Sequence, residues 1–422
     1  MPLSGDAPPF PTFSAAAAPS TPLGPFVESA VAWTTWVTLM GFVGLTALAL
    51  IAAGPAARRI GPGTLTAVTA RLSRAALVLG VLAVPAVLTD LAQGASTSGG
   101  YDYSAAWNSL YDGSNDGLLS GLEVTLILVG AALIAPLAIR NATKATKATT
   151  GHARRWLLIA GLSAGVVALG TTKFPDQAPT DWASTSFSTL MWMLHLIGGG
   201  VWIGGLLGLA LLALPGAFAP DDGAAFWAPV IRRFSAIAMS CVGAITLSGL
   251  FLYWEHVDGP SQLLTTMYGR VLGVKILLFG SMLLLGVFNQ FYLHPRIDAL
   301  RAAGDQRPLR TILIRQFPVV VGAEAVLGLS VLFVAPFLHG SARNQAYQAG
   351  IAAHSAVAVK HLPKLAPKAA HVSTWVWGTM ETIAVIAVMI IGYRISARLA
   401  QRRTATTATT IAPASPQVQG AL

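Results

Sequence analysis

Met191 and His195 stand four residues apart in the run 191-MWMLHLIGGGVWIGGLLGLALL-212. On a helix that spacing stacks two side chains on one face, here a thioether and an imidazole. Soft sulfur with imidazole suits Cu(I) better than it suits hard cations. The run is also apolar and long enough to cross a bilayer. An ionisable group in such a span is costly, so it faces a bundle interior or a cavity. His195 is therefore the first candidate ligand and Met191 its helper. Met239 and Cys241 offer further soft donors toward the far end of the next apolar run. His256, beside Glu255 and Asp258, stands at that run's near end, where an arriving ion would meet it. Plainer readings stand beside these. A lone histidine in a span also serves to hydrogen-bond a neighbouring helix. Methionines fill gaps in cores, and a buried thiol is commonly inert.

Periodicity sharpens the picture. At about 100° per residue, Met191, His195, Gly198, Trp202 and Gly205 share one helical face. Gly200, Gly204 and Gly208 form a second stripe with small-xxx-small spacing, which lets another helix approach closely. The helix is expected to pack by its glycines and to present its ligand pair elsewhere. Trp202 reads as a packing aromatic. Four more ionisable residues fall inside apolar runs. Lys275, Glu123 and Glu381 lie at about the depth of His195, and Glu324 lies deeper. Pairing of Lys275 with Glu123 or Glu381 would neutralise all three.

The elements that must position these residues follow from composition. The 422 residues are 54% hydrophobic and 10% charged, against about 25% charged in a soluble domain. Mean hydropathy is +0.63. These values predict an all-α, polytopic transmembrane bundle. Its nine spans are expected at about 27–54, 66–91, 117–139, 156–172, 187–214, 233–255, 268–292, 317–338 and 375–397. One cysteine rules out an intrachain disulfide and any multi-cysteine metal cluster. The net charge of +10 sits mostly in alternate loops, at Arg58, Arg59, Arg154, Arg155, Arg232, Arg233 and across 296–315. The positive-inside bias puts the N-terminus outside and the C-terminus in the cytoplasm. The positive charge then serves topology and anionic lipid, not nucleic acid. A bacterial cytoplasmic membrane is the expected location.

Residues 1–25 are rich in Pro, Ala and Ser and lack a basic region followed by an apolar one, so they read as a disordered outer tail. The segment 404–422 reads as a disordered cytoplasmic tail. Between them, 27–172 forms a four-span block with few unusual polar residues. Residues 187–397 form a five-span core that carries most of the intramembrane chemistry. The outer loop 339–374 is long enough to be functional and holds His339, His354, His361 and His371.

The core resembles the copper resistance protein D (CopD-type) family of membrane proteins. The resemblance runs through 195-HLIGGGVWIGGL-206, 233-RFSAIAMSCVGAITLSGLFLYW-254, 268-YGRVLGVK-275, Asn289, Pro295-Arg296 and Glu324, in the family's order. It implies a helical bundle that takes copper up across the cytoplasmic membrane, with an extracellular copper-binding protein as partner. On this reading copper arrives near His256 or the loop histidines, passes Met191 and His195, and leaves past Cys241. The chain would then be a carrier and not an enzyme. No G-x-x-x-x-G-K-[ST] motif is present to bind ATP phosphates. Two other readings stay open. The chain is also similar to membrane protoporphyrinogen oxidases, which share a histidine–tryptophan helix and a downstream lysine. That similarity implies haem b on His195, with the glycine face making room for the ring and Lys275 and Arg270 meeting propionates. An assembly factor that delivers copper without transporting it would use the same residues as the carrier.

Overall fold

The computed structural model describes residues 26–96, 100–138, 151–214, 216, 222–289, 291, 316–354, 365, 368 and 370–411. The expected tail 1–25 lies outside them, as does 412–422. Every regular element among the described residues is helical. Among the described residues, nine stretches are long and apolar enough to cross a bilayer: Phe26–Ile60, Pro62–Ala95, Asn115–Ala138, Gly151–Thr171, Trp182–Ala213, Ala225–His256, Met267–Phe288, Val319–Ile351 and Val372–Ile395. We number them as the first to ninth spans of a multi-pass membrane protein.

Several helices outrun the apolar windows that announce them, because nothing breaks them where they meet water. The first continues through a π turn at Ala49–Ala53 to Arg58 and Arg59. That turn precedes Pro55, which has no N–H to give to a regular ladder. The ninth continues as one helix over Val372–Ile411. The first residues of the segment expected as a tail from 404 therefore extend a helix. No proline or glycine stands between Arg394 and Ile411, and Pro413 follows. The eighth stretch is two helices, Gln316–Val334 and Ala342–His354, joined by a tight turn at Ala335–Phe337.

The first span is the hub of the bundle and the most buried of the nine. It packs on the second and fifth spans, while the third packs on the second and fourth. The fully buried ring of Phe42 fills a socket made by absent side chains. A Cβ on Gly80, Gly130 or Gly165 would come within 2.6–3.0 Å of it. The fifth span packs on the sixth and eighth, the eighth on the seventh, and the ninth on the sixth. Without a hydrophobic drive between helices in lipid, such close fits hold a bundle together.

Candidate functional site

Asp181 fixes the start of the fifth span by accepting from the backbone N–H of Ala183 and Ser184, at 3.0 and 3.2 Å. Such a cap satisfies donors that a helix start leaves free. The two faces of this span then meet different neighbours. Gly200, Gly204 and Gly208 lie against Met40, Gly44, Leu45 and Leu48 of the first span. A Cβ on Gly204 would come within 2.7 Å of the Gly44 Cα. The glycine face is thus filled by a helix and leaves no cleft there for a macrocycle. The face with His195 turns to the sixth span, where a Cβ on Gly198 would meet Ile245, Ala244 and the Cys241 carbonyl. Trp202 is buried, edge-on to Phe279 of the seventh span at 6.0 Å.

His195 Nδ1 lies 3.0 Å from the Ser248 hydroxyl, and the Ile245 carbonyl also interacts with the ring. Ser248 is fully buried. Its hydroxyl also sits 2.7 Å from the Ala244 carbonyl, one turn earlier on the sixth span. A hydroxyl has one proton. Donated to Ala244, that proton leaves the Ser248 oxygen as the acceptor for His195 Nδ1–H. This assigns the tautomer and leaves the Nε2 lone pair free to bind a metal. Orientation of a ligand imidazole through its second nitrogen is the usual device at metal sites. Gly249 keeps space beside the ring, since a Cβ there would lie 3.8 Å from His195 Cε1. Toward the start of the fifth span the Trp192 ring stands edge-on to His195 at 6.4 Å. The Lys173 ammonium lies 4.6 Å from the centre of the Trp192 ring, and burial pushes it below the ordinary lysine range.

The other expected residues are distributed more widely. Met191 lies half-buried one turn outward of His195 on the same helix. Lys275 is near enough to act electrostatically on His195. Its expected partners are elsewhere. Glu123 is buried on the third span, in range of Asp90 on the second, and the third span packs on the second and fourth. Glu381 is exposed on the ninth span. Among the described residues no carboxylate forms an ion pair with Lys275. The helix neighbours keep these side chains apart. Cys241 and Met239 also diverge. Cys241 is buried beside the fifth span, whereas Met239 reaches toward Gly392 of the ninth. Glu324 is buried within the bundle, and its Oε1 has no hydrogen-bond partner.

At the C-terminal end of the sixth span, His256 is bound up with its own surroundings. Its Nδ1 lies 2.9 Å from the Leu252 carbonyl and 3.7 Å from Glu255, and its ring stacks on Tyr268 at 5.9 Å. Asp258 is committed to a clamp, accepting from Arg343 at 2.9 Å and pairing with Lys368 at 3.0 Å. Lys368 also donates to the Trp254 and Val257 carbonyls, at 2.7 and 2.9 Å. The Gln345 side chain accepts from the Tyr268 N–H at 2.9 Å. The outer loop is thereby laced to the ends of the sixth and seventh spans. His361 and the side chain of His354 lie outside the described residues; His339 and His371 flank the clamp in sequence. Among the described residues, no three His, Cys, Asp or Glu side chains converge as a metal site. Sequence reasoning named Ser248 only as part of a motif and missed its bond to His195. It also missed the clamp, whose signal was an acidic residue at a helix end and basic residues in the following long loop.

Residues 228–338, from the sixth span to the turn after the eighth, match the family model for Copper resistance protein D. Ser248, Lys275 and Glu324 fall inside that segment, and His195 precedes it. The "Copper transport protein CutJ" of Bacillus subtilis (strain 168) is 34% identical over 146 residues, which are 35% of this chain and 24% of that protein. The "Copper resistance protein D" of Pseudomonas syringae pv. tomato is 30% identical over 181 residues, 41% of this chain and 56% of that protein. The chain thus spans less than two thirds of the length of either relative. No solved structure matches it.

Proposed function

We propose that this chain, a CopD-type membrane protein through its sixth to eighth spans, carries copper across the membrane as Cu(I), inward, with His195 as the central ligand. The observation that carries the reading is the His195–Ser248 hydrogen bond, which leaves Nε2 as a lone-pair donor inside the bundle. Met191 supplies sulfur one turn outward. Soft donors of this kind select Cu(I). The printed names of the two relatives, one a copper transport protein and one a copper resistance protein, agree with this cargo.

Lys275 bears on how tightly the ion is held. A fixed ammonium near His195 opposes a cation there. A conducting site must bind well enough to admit an ion and weakly enough to let it go, and Lys275 holds affinity down. Inward is the direction that the resemblance to copper-uptake proteins implies, and for a cation that moves without a counter-ion the membrane potential favours it by about 2.3 kcal/mol per charge per 100 mV. In this reading the five spans of 187–397 form the transporting core and the first four spans brace it. An extracellular copper-binding protein docks at the outer loop. His256, His339 and His371 lie near the entrance, and Cys241 and Met239 line two separate faces further in. The chain needs no redox or hydrolytic step, so it acts as a carrier.

The test is copper accumulation in cells and Cu(I) binding by the purified protein. His195→Ala should abolish accumulation and remove bound Cu(I), while His354→Ala should have a milder effect. Equal losses in both variants would sink a central His195 site. A visible Soret band that scales with protein and disappears in His195→Ala would replace the copper reading with the haem one. Cu(I) bound at His195 with no movement into vesicles would make the chain a delivery factor.

A further inference from the structure

One face of the seventh span carries Lys275, Phe279, Met282, Gly286 and Asn289, at spacings of four, three, four and three. That is a single helical stripe, and it follows the bundle from the level of His195 inward. Phe279 meets Trp202, and Met282, 1% exposed, reaches the position a Cβ on Gly328 would take, at 3.4 Å. Ile203 of the fifth span closes the same point, at 3.1 Å. Trp202, Ile203, Phe279 and Met282 therefore form an apolar layer below Lys275. Glu324 lies one turn beyond Gly328 on the same face of the eighth span, on the inner side of that layer. From Lys275 to Glu324 the path is roughly 16 Å at 1.5 Å per residue.

Glu324 is 4% exposed, and its Oε1 lacks a hydrogen-bond partner. Asn289, at the inner end of the stripe, also has an orphaned acceptor, Oδ1. The elements packed on the eighth span are the first, fifth and seventh spans and the Ala335–Phe337 turn. Their charged or titratable residues are Glu28, Arg58, Arg59, His195, Tyr268, Arg270 and Lys275. Among the described residues none of these forms an ion pair with Glu324. A buried carboxylate without a cation is very costly, whereas the neutral acid is not. An orphaned acceptor oxygen on a buried carboxyl is what an absent cation or proton would satisfy.

We propose that Glu324 is a cation–proton exchange site: it holds a proton when empty and releases it when the transported Cu(I) arrives. This rests on the transport reading above. The exchange breaks one O–H bond, and the carboxylate it leaves balances the charge of the passing Cu(I). One positive charge replaces another, no electrons move, and copper stays Cu(I). The proton leaves to water on the side from which copper came. When copper departs on the far side, a proton from that side takes its place.

The full-length protein in proteoliposomes, with a trapped pH dye and ascorbate-reduced Cu(I) outside, tests this. Copper entry by the wild type should make the lumen more alkaline and should speed up when the lumen is acidified. Glu324→Gln should abolish the proton movement and flatten the dependence of uptake on lumen pH by at least tenfold. Glu324→Asp should keep both. Copper uptake by the wild type with no proton movement overturns the exchange role, even if no variant folds. So does a Glu324→Gln protein that keeps the wild-type pH response. Absence of copper uptake by the wild type overturns the transport reading itself, and the exchange role with it.

Discussion

The levels of His195 and Glu324 handle buried polarity in opposite ways. At His195 the imidazole, the Ser248 hydroxyl and the Ala244 carbonyl form a chain in which the single hydroxyl proton is spoken for. Only Nε2 is left over. At Glu324 a carboxyl oxygen stands without a partner. A satisfied network fixes one geometry, while an orphaned buried group is expensive and persists where function uses it. On the proposed reading, the His195 level is organised to hold an ion in one orientation, and the Glu324 level is organised to change its charge state.

Three changes would break or sharpen this contrast. The largest effect is expected from Ser248→Ala, which turns the satisfied level into an orphaned one. His195 Nδ1–H loses its acceptor, and Cu(I) affinity should fall about 10- to 100-fold, as for other lost supports of a ligand imidazole. Titration with a competing Cu(I) chelator measures it; an unchanged affinity would mean that Nδ1, not Nε2, faces the metal. A smaller effect is expected from Lys275→Leu. With the ammonium gone, Cu(I) should bind several-fold tighter and turn over more slowly. Weaker binding instead would make Lys275 a support of the site and not a counterweight.

The smallest effect concerns the clamp above the outer level. Burial works against the charge of Asp258, but the hydrogen bond from Lys368 and the charges of Lys368 and Arg343 outweigh it. Together they hold the carboxyl below the ordinary aspartate range. A depressed folded value means that the clamp's contribution is complete above about pH 4, where aspartate is also ionised when unfolded. It is lost as pH falls through the lower folded value. Asp258→Asn should mimic that loss at neutral pH. Hydrogen exchange in Ala342–His354 should quicken in the variant, with no change at Glu324. Exchange that quickens at both levels would mean that they are mechanically one unit.

What could be read from the sequence was whatever a single helix determines. Nine apolar windows fix nine spans to within a few residues at most ends. The i, i+4 pair of Met191 and His195 and the Gly200–Gly204–Gly208 stripe are properties of one helix as well. An expected depth was legible for Lys275, Glu123 and Glu381 because it needs only a residue count. Their separation was not, because it depends on which spans are neighbours, and a count of residues carries no azimuth. Ser248 was hidden for the same reason: its partner is 53 residues away and on another helix. The clamp was hidden because Asp258, Arg343 and Lys368 meet only once the loop folds back over the sixth and seventh spans.

The placement of the first span has a consequence for how the protein is made. Gly44 lies against Gly200 and Gly204, yet those residues leave the ribosome about 160 residues after it, roughly 8 to 30 seconds at ordinary rates of synthesis. The hub of the bundle is thus inserted first and must wait in lipid with its closest contact unmade. A fragment of the first four spans would end with that surface bare, and one starting at the fifth would have nothing to close its glycines. The first four spans and the five that follow are joined less by their connecting loop than by a seam that only a finished chain can close.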